Sequence, residues 1–450
     1  MIKRSCARWP VAWIGLALLT ACSPTPKDSA SLPNIILITI DALRADHLSC
    51  YGYPFPTSPH MDELAGKSIV FEYAFCTLPK TSASVASLMT GLHPFVHKTA
   101  PNSDTLKAEF ITLAEALKMK GYFNIAVVDN SNLSKKFGFG QGFDEYIGVW
   151  NKREKKEAST PYITQTILDF LEANKKRPFF LWAHYIETHT PYLPPKEFVE
   201  ARPAGRKLSD IEKKVFVNIE NWMPAPDPDE GDLVSLYDAT IKYIDSEIKK
   251  INDAFFGRGY QKDTIFILSS DHGEELGEHN LFLDHGPLTF SSSIRVPLIM
   301  FVPGEKSRRI KQPVSLMDIY PTILDKVGLV PPYEIQGKNM LIRSKGRFLL
   351  IPGLVDAFSV VQERYHLVRM DDRVAEELGL ERDYLFDLIK DPGEKINIAS
   401  RQKDRQGLMV EKYRAFFDRH GYLRSPKDAA EKPNLSKEEI ERLKALGYIR

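Results

Sequence analysis

The chain has 450 residues, of which 43% are hydrophobic and 26% charged, with a formal net charge of +1 and a mean hydropathy of −0.26. That length predicts one large domain with a smaller one beside it, and the composition is that of a folded chain. The near-neutral balance argues against nucleic acid as a partner and against a polybasic membrane-binding surface.

The opening "MIKRSCARWPVAWIGLALLTACS" places Lys3, Arg4 and Arg8 before or at the edge of an apolar run from Val11 to Leu19. Such a run is short for a membrane span and fits the apolar core of a secretory signal. Leu19-Thr20-Ala21-Cys22 resembles a bacterial lipobox, in which the cysteine becomes the lipid-modified first residue. Residues 1–21 are therefore expected to be a removed signal peptide, Cys22 the lipid attachment point and 22–33 a polar tether. Ser23 after the cysteine, where an aspartate would retain the protein at the inner membrane, points to the outer membrane. The expected location is the periplasmic side, anchored through lipid. Cys6 leaves with the signal, and Cys50 and Cys76 read as two buried thiols rather than a bridge.

From Asn34 onward, apolar runs alternate with amphipathic stretches, the pattern of an α/β sheet with helices on both faces. Strands are expected at Ile35–Ile40, Ile125–Val128, Phe179–Ala183, Thr264–Leu268 and Pro297–Val302. Tyr237, Ile241, Ile244, Ile248, Ile251 and Phe255 recur at helical spacing and form the core-facing stripe of a long helix. Residues 201–232, with "MPAPDPDEGD", predict a surface insertion. After Pro332, short strands such as "RFLLI" and "YHLVRM" predict a small domain over 332–450, following a main domain over 34–331. Its last stretch, "LSKEEIERLKALGY", pairs Ser436 with Glu439 in a capping box and stops at Gly447.

Three of the predicted strands end in metal-type ligands. Asp41 follows "NIILITI", Asp271 and His272 follow "TIFILSS", and "FFLWAHYIETH" delivers His184, Glu187 and His189. In open α/β sheets ligands collect beyond the carboxyl ends of the strands, so these groups are expected to converge. Aspartate with imidazole suits zinc, manganese or magnesium rather than a thiolate-seeking metal. "TSASVASLMTG" adds hydroxyls at a helix start, where Thr81 and Ser84 are either ordinary helix caps or one of them is a nucleophile held at the positive, anion-collecting end. A threonine hydroxyl barely ionises near neutral pH, and a divalent cation lowers the pKa of a bound hydroxyl by several units. Thr81 beside a cation held by Asp41, Asp271 and His272 would thus be an activated nucleophile, with the helix N-terminus steadying a tetrahedral oxyanion.

In this order, "ITIDALRADHLSCYGY", "TSASVASLMTGLHP", "SSDHGEELGEH", "IRVPLI", "PVSLMDIYPTILDKVGL" and "YLFDLIKDPGEKINIA" resemble the sulfatase family of the alkaline phosphatase superfamily. The resemblance implies an alkaline-phosphatase-like α/β/α sandwich with a smaller C-terminal sheet-plus-helix domain. Family sulfatases start the helix with Cys or Ser-x-Pro-Ser-Arg and convert that Cys or Ser to formylglycine. Here the position is Thr81, with Ala83 for the proline and Val85 for the arginine. Threonine cannot give the aldehyde because its β-carbon carries a methyl group, so Thr81 is expected to act as itself, as in phosphodiesterase, phosphonoacetate hydrolase and phosphoglycerol transferase branches. Ala42 stands where sulfatases repeat the aspartate, and His285-Gly286 where they often have Lys-Gly. These departures favour zinc or manganese, with magnesium or calcium also within the donor chemistry.

His189 and His285 are expected to be catalytic, either as general acids toward the substrate or, with Glu187 or His184, as ligands of a second metal. His279 reads as structural. Arg44 either contacts the substrate anion or pairs with Asp46, and Asn130 is a substrate-contact candidate. The reading that results is a lipid-anchored, metal-dependent ester hydrolase, with phosphate or phosphonate esters of small molecules or of envelope lipids and glycans favoured over sulfate. A phosphoryl transferase acting on envelope components, and an inactive binding lipoprotein, are the alternatives. For the anchor, Cys22→Ala is expected to move the protein from the membrane fraction to the soluble one and to abolish radiolabelled palmitate incorporation; a variant that still pellets with membranes would sink the lipobox reading.

Overall fold

In the computed structural model β1 (Asn34–Ile40) is buried along its whole length, as a strand without polar alternation must be when both faces of its sheet are covered. The structure describes residues 32–99, 104–150, 159–173, 178–199, 233–281, 285, 287–354 and 356–421. The signal segment with Cys22, the 201–232 insertion and the closing "LSKEEIERLKALGY" lie outside these residues.

β1 is flanked by β2 (Ile69–Phe71), β3 (Phe123–Val128), β4 (Glu145–Gly148), β5 (Phe179–Tyr185), β6 (Thr264–Ser270), β7 (Leu298–Phe301) and β8 (Arg308–Ile310). They form one eight-stranded sheet in the order β8-β2-β7-β6-β1-β5-β3-β4. The central strands β6, β1, β5, β3 and β4 run parallel, and β7 runs antiparallel to both of its neighbours. In this register Ile40 stands opposite Tyr185 on one side and Ser270 on the other, while Val128 faces His184. The residues that follow β1, β3, β5 and β6 therefore emerge side by side at one edge of the sheet.

Helices close both faces. α1 (Pro59–Gly66), α4 (Ser159–Ala173) and α5 (Leu233–Gly257) share one core with Ile36, Ile38 and Ile40 of β1. The stripe from Tyr237 to Phe255 is entirely buried there, which accounts for its helical spacing. On the opposite side α2 (Thr81–Thr90), α3 (Leu113–Met119) and α6 (Ile319–Lys326) pack on one another. A four-stranded antiparallel sheet follows, β9 (Phe348–Pro352), β10 (Ala357–Gln362), β11 (Tyr365–Met370) and β12 (Asp383–Asp387), covered by α7 (Lys403–His420). Met409, Val410 and Tyr413 of α7 pack on Val360, Leu367 and Leu385 of that sheet. Both sheets fall in one compact unit that starts at Pro33. Cys50 and Cys76 are free thiols, the second wholly buried and the first half-buried.

α2 is unusual in being buried at every position. All but Leu88 and Met89 of its residues are small (Ser, Ala, Thr, Val), which lets the surrounding elements approach on all sides. Gly91 ends it in the left-handed region at φ +71°, and a β-carbon there would lie 2.9 Å from the Tyr320 ring.

Candidate active site

Thr81 is the first residue of α2, and the capping position belongs to Lys80, whose backbone is extended. No side chain caps this helix, so Thr81 is not a cap. Its hydroxyl instead lies 3.3 Å from His272 Nε2, and the side chain is fully buried. Ser84 does not cap either, since its Oγ meets no hydrogen-bond partner.

Asp41 and Asp271, the residues that end β1 and β6, face the same point. Asp41 Oδ2 accepts from Asn130 Nδ2 at 2.7 Å and lies 3.3 Å from His184 Nε2. Asp271 Oδ1 accepts from the backbone N–H groups of Ala42 (3.1 Å) and His272 (2.9 Å). The other oxygen of each, Asp41 Oδ1 and Asp271 Oδ2, is buried with no hydrogen-bond donor. His272 Nε2 lies 3.6 Å from the first and 3.5 Å from the second. Its Nδ1 donates to the Gly273 carbonyl at 2.9 Å, so the Nε2 lone pair points at the two carboxylates and Thr81.

Burial alone would raise the Asp41 carboxyl, but the His184 hydrogen bond and the charges of His189 and His272 override it and hold Asp41 below the usual carboxylate range. Asp271 is pushed up to about 8 by burial and by the charge of Asp41. Burial lowers His272 to about 4, which keeps its imidazole neutral. For His184 burial works the other way and loses: the hydrogen bond to Asp41 raises it.

This donor set fits a divalent cation. Two buried carboxylate oxygens without donors, converging with a neutral imidazole lone pair, are otherwise an expense with no return. Asp41, His184 and Asp271 each offer a ligand atom within 4.8 Å of one another. His184, considered in the sequence only for a second metal, thus joins the first group. Among the described residues Glu187, His189 and His285 form no such cluster, because Glu187 accepts a hydrogen bond from Thr160 at the start of α4. The expected second metal site is not formed by that trio.

His189 and His285 do stand at the site. Their rings meet edge to face at 5.1 Å, and His285 stacks on His272 at 4.1 Å. His189 Nδ1 donates to the Thr190 carbonyl at 2.6 Å, and His285 Nδ1 pairs with Glu274 Oε1 at 3.0 Å. Burial lowers both, and the charge of Lys80 adds to the shift at each. As neutral imidazoles protonated on Nδ1 they present Nε2 as a proton acceptor.

Arg44 is committed elsewhere. Its guanidinium pairs with Asp46 and Glu278, both at 2.8 Å, and donates to the Glu274 carbonyl at 3.0 Å. That arrangement matches pairing with Asp46 and not contact with a substrate anion. Asn130 is likewise spent on holding Asp41. His279 stacks flat on Phe290 at 3.5 Å, a packing role. Sequence reading passed over Lys80, Glu274, Thr39 and Asn132. Thr39, two residues before Asp41 and therefore on the same face of the chain, bonds His184 Nδ1 at 2.8 Å, and this lone hydroxyl in an apolar run was the available signal.

Residues 33–329 match the sulfatase family model, and the chain belongs to the sulfatase family of ester hydrolases. A sulfatase of Formosa agariphila is 24% identical over 87% of this chain and 88% of its own. Human iduronate 2-sulfatase is 25% identical over 73% and 78%. Among solved structures, the phosphonate monoester hydrolase of Agrobacterium radiobacter superposes with a TM-score of 0.67 at 22% identity, covering 86% of this chain and 96% of that one. The likeness confirms the α/β/α fold with its smaller antiparallel sheet.

Asp271 sets a pH dependence. Its carboxyl is raised, so below about pH 8 an incoming cation has to displace its proton. His184, also raised, gives up a proton in the same way. Divalent-metal affinity is therefore expected to climb with pH and level off near 8, read by calorimetry in buffers of different ionisation enthalpy. An affinity that stays flat between pH 6 and 8, with no proton release, would contradict this assignment.

Proposed function

We propose that this protein cleaves phosphate or phosphonate esters with Thr81 as an unmodified nucleophile. The observation that carries the reading is the Thr81 hydroxyl 3.3 Å from the His272 Nε2 lone pair, beside the unmet oxygens of Asp41 and Asp271. Asp41, Asp271, His272 and His184 would hold a divalent cation, which supplies charge to lower the hydroxyl pKa and to offset the anionic ester. Zinc or manganese suits two carboxylates with imidazoles best. The support for a phosphorus centre is chemical: an alcohol nucleophile gives a stable phosphoester intermediate, whereas sulfatases of the formylglycine type use an aldehyde hydrate.

In the first step Thr81 Oγ gives its proton to solvent and forms a bond to the tetrahedral centre, while the bond to the ester oxygen breaks and the alkoxide that leaves with the electron pair is protonated by water. The first N–H groups of α2 face the non-bridging oxygens. In the second step water attacks the same centre and gives one proton to the Nε2 of His189 or His285, while the bond to the Thr81 oxygen breaks and that oxygen takes the proton back from the imidazolium. Glu274 fixes the His285 ring and the Thr190 carbonyl fixes His189. Anchoring through Cys22 on the periplasmic side, with the catalytic domain over 34–331 and a smaller one over 332–450, completes the reading.

Thr81→Ala is expected to keep the fold and bound metal and to lower turnover by about three orders of magnitude or more, as loss of a covalent step does. Thr81→Ser keeps the hydroxyl and is expected to stay within about tenfold of the wild type. The assay compares nitrophenyl phosphate, phosphodiester, phosphonate and sulfate esters with metal content measured alongside. Near-normal rates in the alanine variant would remove Thr81 from the chemistry.

A further inference from the structure

The segment after β3 carries two asparagines with opposite fates. Asn130 donates Nδ2 to Asp41 and accepts the Asn132 N–H on Oδ1 at 3.0 Å. Asn132 is just as buried, at 0% exposure, yet neither its Nδ2 nor its Oδ1 has a hydrogen-bond partner. Leaving an amide dry is costly, and folded proteins seldom tolerate it without a ligand or an ion to meet the group.

The place of this residue says what would meet it. Its turn, Ser131–Leu133, is tied to Asp41 through Asn130 on one side and packs against α2 on the other. On α2, Ser84 lies one helical turn after Thr81, is fully buried, and has an Oγ without a partner. Val85, the next residue, brings only apolar surface. Two neutral donors without acceptors thus lie in the first turns of α2 and on a turn packed against that helix, whose first backbone N–H groups also lack helical acceptors. An oxyanion offers acceptors alone, and it meets all three kinds of donor at once.

We infer that Asn132 Nδ2, with Ser84 Oγ, holds a non-bridging oxygen of the tetrahedral ester. Asn132 was passed over in the sequence and Ser84 was weighed there only as a cap or a nucleophile, while Asn130, named as a substrate contact, serves to fix Asp41 and to aim this turn. The inference rests on the reading of Thr81 as the attacking group but is tested apart from it. A neutral amide and hydroxyl grip the oxygen by geometry and leave the balancing charge to the cation site and Lys80.

The test uses the full metal-loaded chain and inorganic phosphate as the probe, with binding followed by calorimetry and the thermal midpoint read without anion. Asn132→Leu keeps the side-chain size and removes the dry amide. It is expected to weaken phosphate by about tenfold or more with metal content unchanged, the loss of a hydrogen bond to a charged group. Its anion-free midpoint is expected to equal or exceed the wild type, because an unmet polar group has been replaced by an apolar one. Ser84→Ala is expected to weaken phosphate in the same direction. Unchanged phosphate affinity in both variants overturns the inference, as does a lower midpoint with unchanged affinity, which would mark Asn132 as structural. A wild type that binds no phosphate overturns it too. Phosphate binding needs no turnover, so a wild type inactive on every ester would sink the Thr81 reading while leaving this measurement decisive.

Discussion

Asp41 and Asp271 stand fully buried at the ends of adjacent parallel strands, each with one oxygen that no donor reaches. Ligand atoms of these two residues and His184 lie within 4.8 Å of one another, a separation at which two like charges repel by about 3 kcal/mol at an effective dielectric of 20. The surroundings are arranged to bear that repulsion. His184 and Asn130 steady Asp41, while the backbone N–H groups of Ala42 and His272 steady Asp271. Ala42 reaches Asp271 from the left-handed conformation, at φ 58°. The Tyr237 hydroxyl donates to its carbonyl and accepts the Arg44 N–H, both at 2.8 Å, so the long helix α5 holds the turn from beneath.

The same constraint explains the buried helix that carries Thr81. A hydroxyl can be brought to a dry, charged centre only if its helix is dry as well, and α2 meets that demand with small residues. Toward its far end the polar groups are matched: Ser87 bonds His97 Nε2 at 2.9 Å and accepts from Thr77 at 2.8 Å, and Thr90 donates to the Ala86 carbonyl at 2.7 Å. Behind Asp271, the loop from His272 to Glu275 is pinned to Ser291–Ile294. Gly273 N donates to the Ser293 carbonyl, and a β-carbon at Gly273 would lie 2.0 Å from the Ser292 carbonyl. Only glycine lets that loop pass so close, and the approach sets the direction of His272. Glu394 then bonds Ser291, and His366 of β11 bonds Glu394, so the small sheet buttresses the loop that carries the site.

Much of this was legible in the chain. Central strands buried on both faces read as unbroken apolar runs, so β1, β5 and β6 stood out, and the residues just beyond them were natural site candidates. The edge strands β4 and β8, and the three-residue β2 beside β8, were missed, since short strands leave too little pattern. Side-chain direction was the other loss. Glu187 was grouped with His189 by proximity in sequence, but a two-residue offset past a strand end turns it to Thr160. Arg44 finds Glu278 more than two hundred residues away, and no local pattern announces such a pairing. The protonation of His189 and His285 was beyond reach for the same reason: it is set by Thr190 O and Glu274, partners that only the fold supplies.

The central claim is that a plain threonine carries the covalent step in a family whose usual nucleophile is a modified residue. The most direct measurement is the mass of the peptide containing Thr81, from wild-type protein quenched in acid while turning over a slow phosphonate or phosphate ester. The account predicts an unreacted peptide at the mass of unmodified threonine and a second species carrying the transferred phosphoryl or phosphonyl group on Thr81. A modified residue in the resting protein, or an adduct placed on His189 or His285 instead, would contradict it.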